Sequence, residues 1–79
     1  MSTATYLAKV NGMLDRPELP DAKTKENFLY SLISYWQREL NNHRKGRPTK
    51  FTPLEINEII SELENRIKTI RQEAKNAKT

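Results

Sequence analysis

The sequence has no cysteine and a single histidine, His43. A disulfide framework is therefore excluded, and so is a histidine-rich metal site. With 79 residues a lone core is marginal, because a chain this short buries only about 60% of the surface it exposes when unfolded. Without disulfides or metal, such a chain depends on regular helix packing or on self-association. The lack of cysteine also fits a reducing compartment.

Glycine is nearly as scarce. Gly12 and Gly46 stand alone, so no glycine-rich loop is available to cradle a phosphate. No apolar run approaches the roughly 18 residues that a membrane span needs. The first 15 residues contain Thr, Lys, Asn, Gly and Asp and lack the continuous apolar stretch of a secretory signal. A cytoplasmic protein without membrane association is expected. Glu55, Glu58 and Glu62 recur at helical spacing, but no histidine, cysteine or positioned serine accompanies them. They read as a solvated helix face rather than as acid–base machinery. His43 is alone, and a metal needs three or four partners. Neither enzyme activity, nor a cofactor, nor a metal is expected.

What the sequence does have is helix punctuation. Thr52, Pro53, Leu54 and Glu55 form a helix start, with Thr52 as N-cap, Pro53 at the first helical position and Glu55 closing a capping box. Phe51 and Ile56 are placed to form a hydrophobic staple. Ile56, Ile60, Leu63, Ile67, Ile70, Ala74 and Ala77 follow spacings of 4, 3, 4, 3, 4 and 3, a heptad seam that Ile59 widens. This predicts a helix over about 53–77. Its acids gather in the first half and its bases in the second, with Glu73 the one exception, as the helix dipole favours. Glu62 with Arg66 and Glu64 with Lys68 are spaced for i,i+4 ion pairs.

A second helix is predicted over about 22–45, with Asp21 and Thr24 as alternative N-caps and Gly46 as the stop. Phe28, Leu29, Leu32, Ile33, Trp36 and Leu40 make one broad apolar face. At this spacing Trp36 belongs to the core, while Tyr30 and Tyr35 sit nearer its edges and suit either an interface or base stacking. A short helix over about 3–14 places Leu7, Val10 and Leu14 on one side, with Tyr6 and Met13 beside them, and Gly12 weakens it by about 1 kcal/mol relative to Ala. The connector over 15–21 contains Pro17 and Pro20 and cannot continue a helix.

The expected fold is all-α: an antiparallel helical hairpin of two long helices, crossed by a short N-terminal helix. At ~26 and ~21 residues the long helices span ~39 Å and ~31 Å, so the last one overhangs. A homodimer with a four-helix core is the preferred assembly, and a monomeric three-helix bundle is the alternative.

The net charge of +4 is unevenly placed. Residues 1–27 carry four basic and four acidic side chains, and residues 51–79 carry five of each. Residues 28–50 hold Arg38, Arg44, Lys45, Arg47 and Lys50 against Glu39 alone, so the excess lies in that segment and its basic loop, 46–51. Within it, Lys45-Gly46-Arg47-Pro48 resembles the AT-hook, a peptide that lays Arg-Pro along the narrow minor groove of A·T-rich DNA. The resemblance covers four residues. It implies minor-groove contact, which ranks below general phosphate contact and below a plain solvated interhelix loop. Gly46 to Pro53 also looks like the lead-in to helix-turn-helix domains of some phage terminase small subunits and transposases. The chain departs from that pattern after Ile60, where the heptads run on without a second recognition helix.

Two functions follow. The first is a protein-interaction module (an adaptor, inhibitor or assembly factor) that offers an amphipathic helical face through Ile60, Leu63, Ile67, Ile70 and Ala74, with the overhang from Ile70 to Ala77 as a docking strip. The second is a nucleic-acid-associated regulatory protein that contacts phosphate through Arg38, Arg44, Lys45, Arg47 and Lys50. Five acids in the last helix tilt the choice toward a protein partner.

Overall fold

The structure, a computed structural model, describes residues 2–16 and 21–77. Residues 17–20 of the expected proline-containing connector, and the side chain of Ala77 on the expected seam, lie outside the described residues. Among the described residues there are three helices: α1 (Thr3–Leu14), α2 (Ala22–Arg44) and α3 (Pro53–Ala77). The fold they make is all-helical, with α2 and α3 packed on each other and the short α1 beside them, as the hydrophobic patterning implies.

Each helix starts where a side chain can replace a missing backbone partner. Ser2 caps α1 by accepting from the Thr5 amide at 3.2 Å. Asp21, rather than Thr24, caps α2, and its Oδ1 accepts from the Thr24 amide at 2.7 Å. Hydrogen bonds from Thr24 hold the Asp21 carboxyl below its ordinary pKa. The reciprocal box at α3 is complete. The Glu55 amide donates to Thr52 Oγ1 at 3.2 Å, and the Thr52 amide donates to Glu55 Oε1 at 3.0 Å. Phe51 and Ile56, the expected staple, are both buried in the common core.

Helix α2 ends in a Schellman motif. The Arg47 amide donates to the Asn42 carbonyl and the Gly46 amide to the His43 carbonyl, each at 3.0 Å. Gly46 takes φ +83°, which is why a glycine stands there.

Packing follows a 3.6-residue period. Leu29, Ile33 and Trp36 of α2 meet Ile56, Ile59, Leu63 and Ile67 of α3, all buried. Fully burying each such side chain contributes about 1.5–3 kcal/mol relative to leaving it exposed. This corrects the heptad register: Ile59 sits at the centre of the stripe, fully buried, and Ile60 lies at its edge. The seam serves α3's contact with α2 of the same chain, so the straight-helix period prevails over the 3.5-residue supercoil period.

Helix α1 lies mainly on α3 and buries Val10 and Leu14. Thr3, Ala4 and Leu7 neighbour Glu58 and Glu62, whereas Leu14 neighbours Thr69 and Ile70. Helices α1 and α3 therefore run in the same direction, with α2 antiparallel to both. The result is a rod of 49 × 18 × 18 Å. Its radius of gyration, 13.9 Å, exceeds the about 12 Å typical of a compact chain of this length.

Two expectations change. The long helices have 23 and 25 residues, so α3 barely overhangs. Its later part is tied back to α2 by Arg71, which donates from Nε to Glu26 at 3.0 Å and from Nη2 to the Tyr30 hydroxyl at 2.6 Å. Neither Glu62–Arg66 nor Glu64–Lys68 closes, and the ion pair among the described residues is Arg71–Glu26. Exposed pairs on one helix gain too little Coulomb energy to order two long side chains.

Candidate functional site

Because α1 leans toward α3, it leaves a trough on its α2 side. Tyr6, Lys9, Val10 and Met13 form one wall, Phe28, Leu32, Tyr35 and Trp36 the other, and Lys50 with Phe51 close the end. The cavity measures about 820 Å³, and most of its lining is apolar. This size falls within the range of real ligand clefts.

An aromatic cluster shapes its floor. Trp36, 6% exposed, stands edge-on to Tyr6, Tyr35 and Phe51, with ring centroids 5.1, 5.0 and 5.4 Å away. Its indole Nε1 donates to the Tyr6 hydroxyl at 2.8 Å, which fixes α1 against α2. Tyr35 and Met13 remain exposed at the rim. The Glu39 carboxylate, acting on the Tyr35 hydroxyl, pushes that phenol above its ordinary pKa, with partial burial adding to the effect.

On the other flank of α1 a smaller cavity, about 350 Å³, lies between Thr3, Ala4 and Leu7 and the residues Glu58, Ser61 and Glu62 of α3. The two flanks thus differ in charge: two lysines border the apolar groove, and two glutamates border the other.

The basic segment makes a corner where α2 turns into α3. Arg38, Arg44, Lys45, Arg47 and Lys50 are all exposed, and among the described residues none is in an ion pair. The loop backbone is held at three points. The Schellman motif turns it at Gly46. Thr49 donates its hydroxyl proton to the Phe51 carbonyl at 2.7 Å, so it can only accept from His43 Nδ1 at 3.2 Å. The capping box ends it. The stretch that resembles an AT-hook is therefore turned and pinned rather than freely extended. His43, Gly46, Arg47, Pro48, Thr49 and Lys50 surround a shallow cavity of about 410 Å³ there. Lys50 and Phe51 line both this cavity and the apolar groove, so the two adjoin.

The residues expected at a protein interface fare unevenly. Leu63 and Ile67 are buried in the chain's own core, and a dimer through them would require that core to open. Ile60, Ile70 and Ala74 are half-buried along its edge. Trp36 is in the core as its spacing implies. Tyr30 is engaged by Arg71, whose guanidinium also lies 5.9 Å from its ring centre, while Tyr35 faces the groove. Sequence reasoning did not single out the groove, although Tyr6 and Met13 standing beside the α1 stripe were its trace. Among the described residues, no three His, Cys, Asp or Glu side chains gather as metal ligands, and no helix is long and apolar enough to cross a membrane.

Comparison with protein-family models, with curated protein sequences and with solved structures returned no match.

Proposed function

We propose that this chain is a cytoplasmic, non-enzymatic protein-interaction module, an adaptor, inhibitor or assembly factor, and that its docking surface is the groove between α1 and α2. The observation that carries this reading is the groove itself. A chain with 30% charged residues leaves Met13 and Tyr35 exposed beside half-buried Phe28 and Leu32 on one continuous surface. Exposed apolar surface gathered in a cleft marks a binding site more often than scattered apolar residues do. The lack of cysteine supports a reducing compartment. The amphipathic face at work differs from the α3 seam, which is already used within the chain.

The test is photo-cross-linking inside the cells that make the protein, from a benzophenone side chain at position 13 and, as control, at position 64 on the exposed side of α3. A discrete protein adduct from position 13 alone supports docking in the groove. Equal labelling from both positions sinks it.

A second reading, phosphate contact by the basic corner, is favoured by five exposed basic side chains with no ion pair among the described residues, Arg38 and Arg44 on α2 and Lys45, Arg47 and Lys50 on the pinned turn that follows it. Binding to a labelled duplex that weakens steeply with salt and is lost in Lys45→Ala/Arg47→Ala supports it. No binding even at low salt removes it.

A further inference from the structure

Resting on the docking reading above, we propose that the occupant of the groove is an amphipathic α-helix of another protein, with its apolar stripe flanked by carboxylates. The walls decide between helix and strand. They are helical, and among the described residues no strand offers an edge to extend. An extended peptide would bury its backbone N–H and C=O groups in an apolar trough without partners, which is costly. A helix satisfies those groups internally and presents side chains at i, i+3 or i+4, and i+7.

Charge decides the flanks. The cations on the lining are Lys9 from α1 and Lys50 from the loop, and no carboxylate lines the groove. Glu39 is near, but it acts on the Tyr35 hydroxyl. At Lys50 the groove adjoins the basic corner with His43 and Arg47. A helix with acidic flanks meets cations along one wall and at one end, and a basic helix is repelled there.

Two other occupants fit less well. A nucleic acid would use Lys9, Lys50 and the corner but gain little from Val10, Phe28 and Leu32. A second copy of the chain lacks the required stripe. Among the described residues its exposed large apolar side chains are Met13, Tyr30, Tyr35 and Leu54, and these do not form one helical face.

The experiment is a displayed library of peptides of about five helical turns, unbiased in charge, selected on the full chain and counter-selected on Met13→Glu. Met13 is exposed, and circular dichroism of each variant checks that it folds. Winning peptides are then labelled and titrated against the chain and against Lys9→Glu/Lys50→Glu. The expected result is winners with apolar residues at helical spacing and Glu or Asp beside them, weakened about tenfold or more by the lysine reversal. Apolar winners with neutral or basic flanks, indifferent to the reversal, overturn the acidic-helix proposal and leave docking in the groove standing. A library with no Met13-dependent winner, or whose winners are matched in affinity by duplex DNA competing for the groove, overturns both.

Discussion

Along one side of α1, Tyr6, Lys9, Val10 and Met13 face α2 across a broad apolar groove. Along the other, Thr3, Ala4 and Leu7 face Glu58, Ser61 and Glu62 of α3 across a smaller one. One short helix thus separates two surfaces of unlike size and opposite charge. The cause is its lean. Val10 and Leu14 anchor α1 in the core beside α3, so the α2 side is left more open, with the Trp36–Tyr6 contact reaching across it. A net charge of +4 conveys none of this. What a partner meets is the local sign on either side of α1.

The largest effect that separates the two sides is expected at Trp36, the floor of the open one. Trp36→Ala should cost about 3–5 kcal/mol. A chain of this size has only about 4–12 kcal/mol in total, so urea unfolding followed by circular dichroism should show the midpoint lowered by about a quarter or more. A midpoint close to that of the wild type would show that the aromatic cluster carries little stability. Tyr6→Phe keeps the ring and removes the oxygen that accepts from Trp36, costing about 1 kcal/mol. Amide exchange should speed up in α1 before it does in α3, and uniform acceleration would mean that α1 is not a separately hinged wall.

Gly12→Ala should act in the opposite direction. A β-carbon there meets nothing within 4 Å, so the helix should gain about 0.5–1 kcal/mol, read as a higher melting temperature. The smallest effect on stability should come from reversing charge on either flank. Lys9→Glu/Lys50→Glu and Glu58→Lys/Glu62→Lys should each stay within about 0.5 kcal/mol of wild type. Affinity for an acid-flanked helix should fall in the first pair and hold or rise in the second. Equal losses in both would erase the distinction between the flanks.

The start of α3 and the end of α2 were legible because each rests on local chemistry. Thr52 with Glu55 and Gly46 announce them, and the structure places hydrogen bonds on both, while the start of α2 lay open between Asp21 and Thr24 until the Asp21 side chain is seen to accept from the Thr24 amide. The register of α3 was less legible. Ile59 and Ile60 are adjacent isoleucines, and which one faces the core depends on how far the helix is wound, a property of its packing against α2. The groove was not legible at all as a surface. It joins Met13, Tyr35 and Lys50, which local periodicity cannot relate, and it exists because α1 leans one way rather than the other. The basic corner was visible as composition, but its pinned shape depends on His43, Thr49 and Phe51 meeting across the turn.

Arg71 closes the end of the hairpin farthest from that turn, its guanidinium shared between Glu26 and Tyr30, one helical turn apart on α2. A two-helix hairpin ordinarily frays from its open end, because nothing there offsets the entropy released by peeling. An exposed clasp contributes only about 0.5 kcal/mol, yet that roughly doubles the ratio of closed to peeled ends. Closed ends should therefore be about twice as populated as in Arg71→Ala, read as slower amide exchange in the last turns of α3.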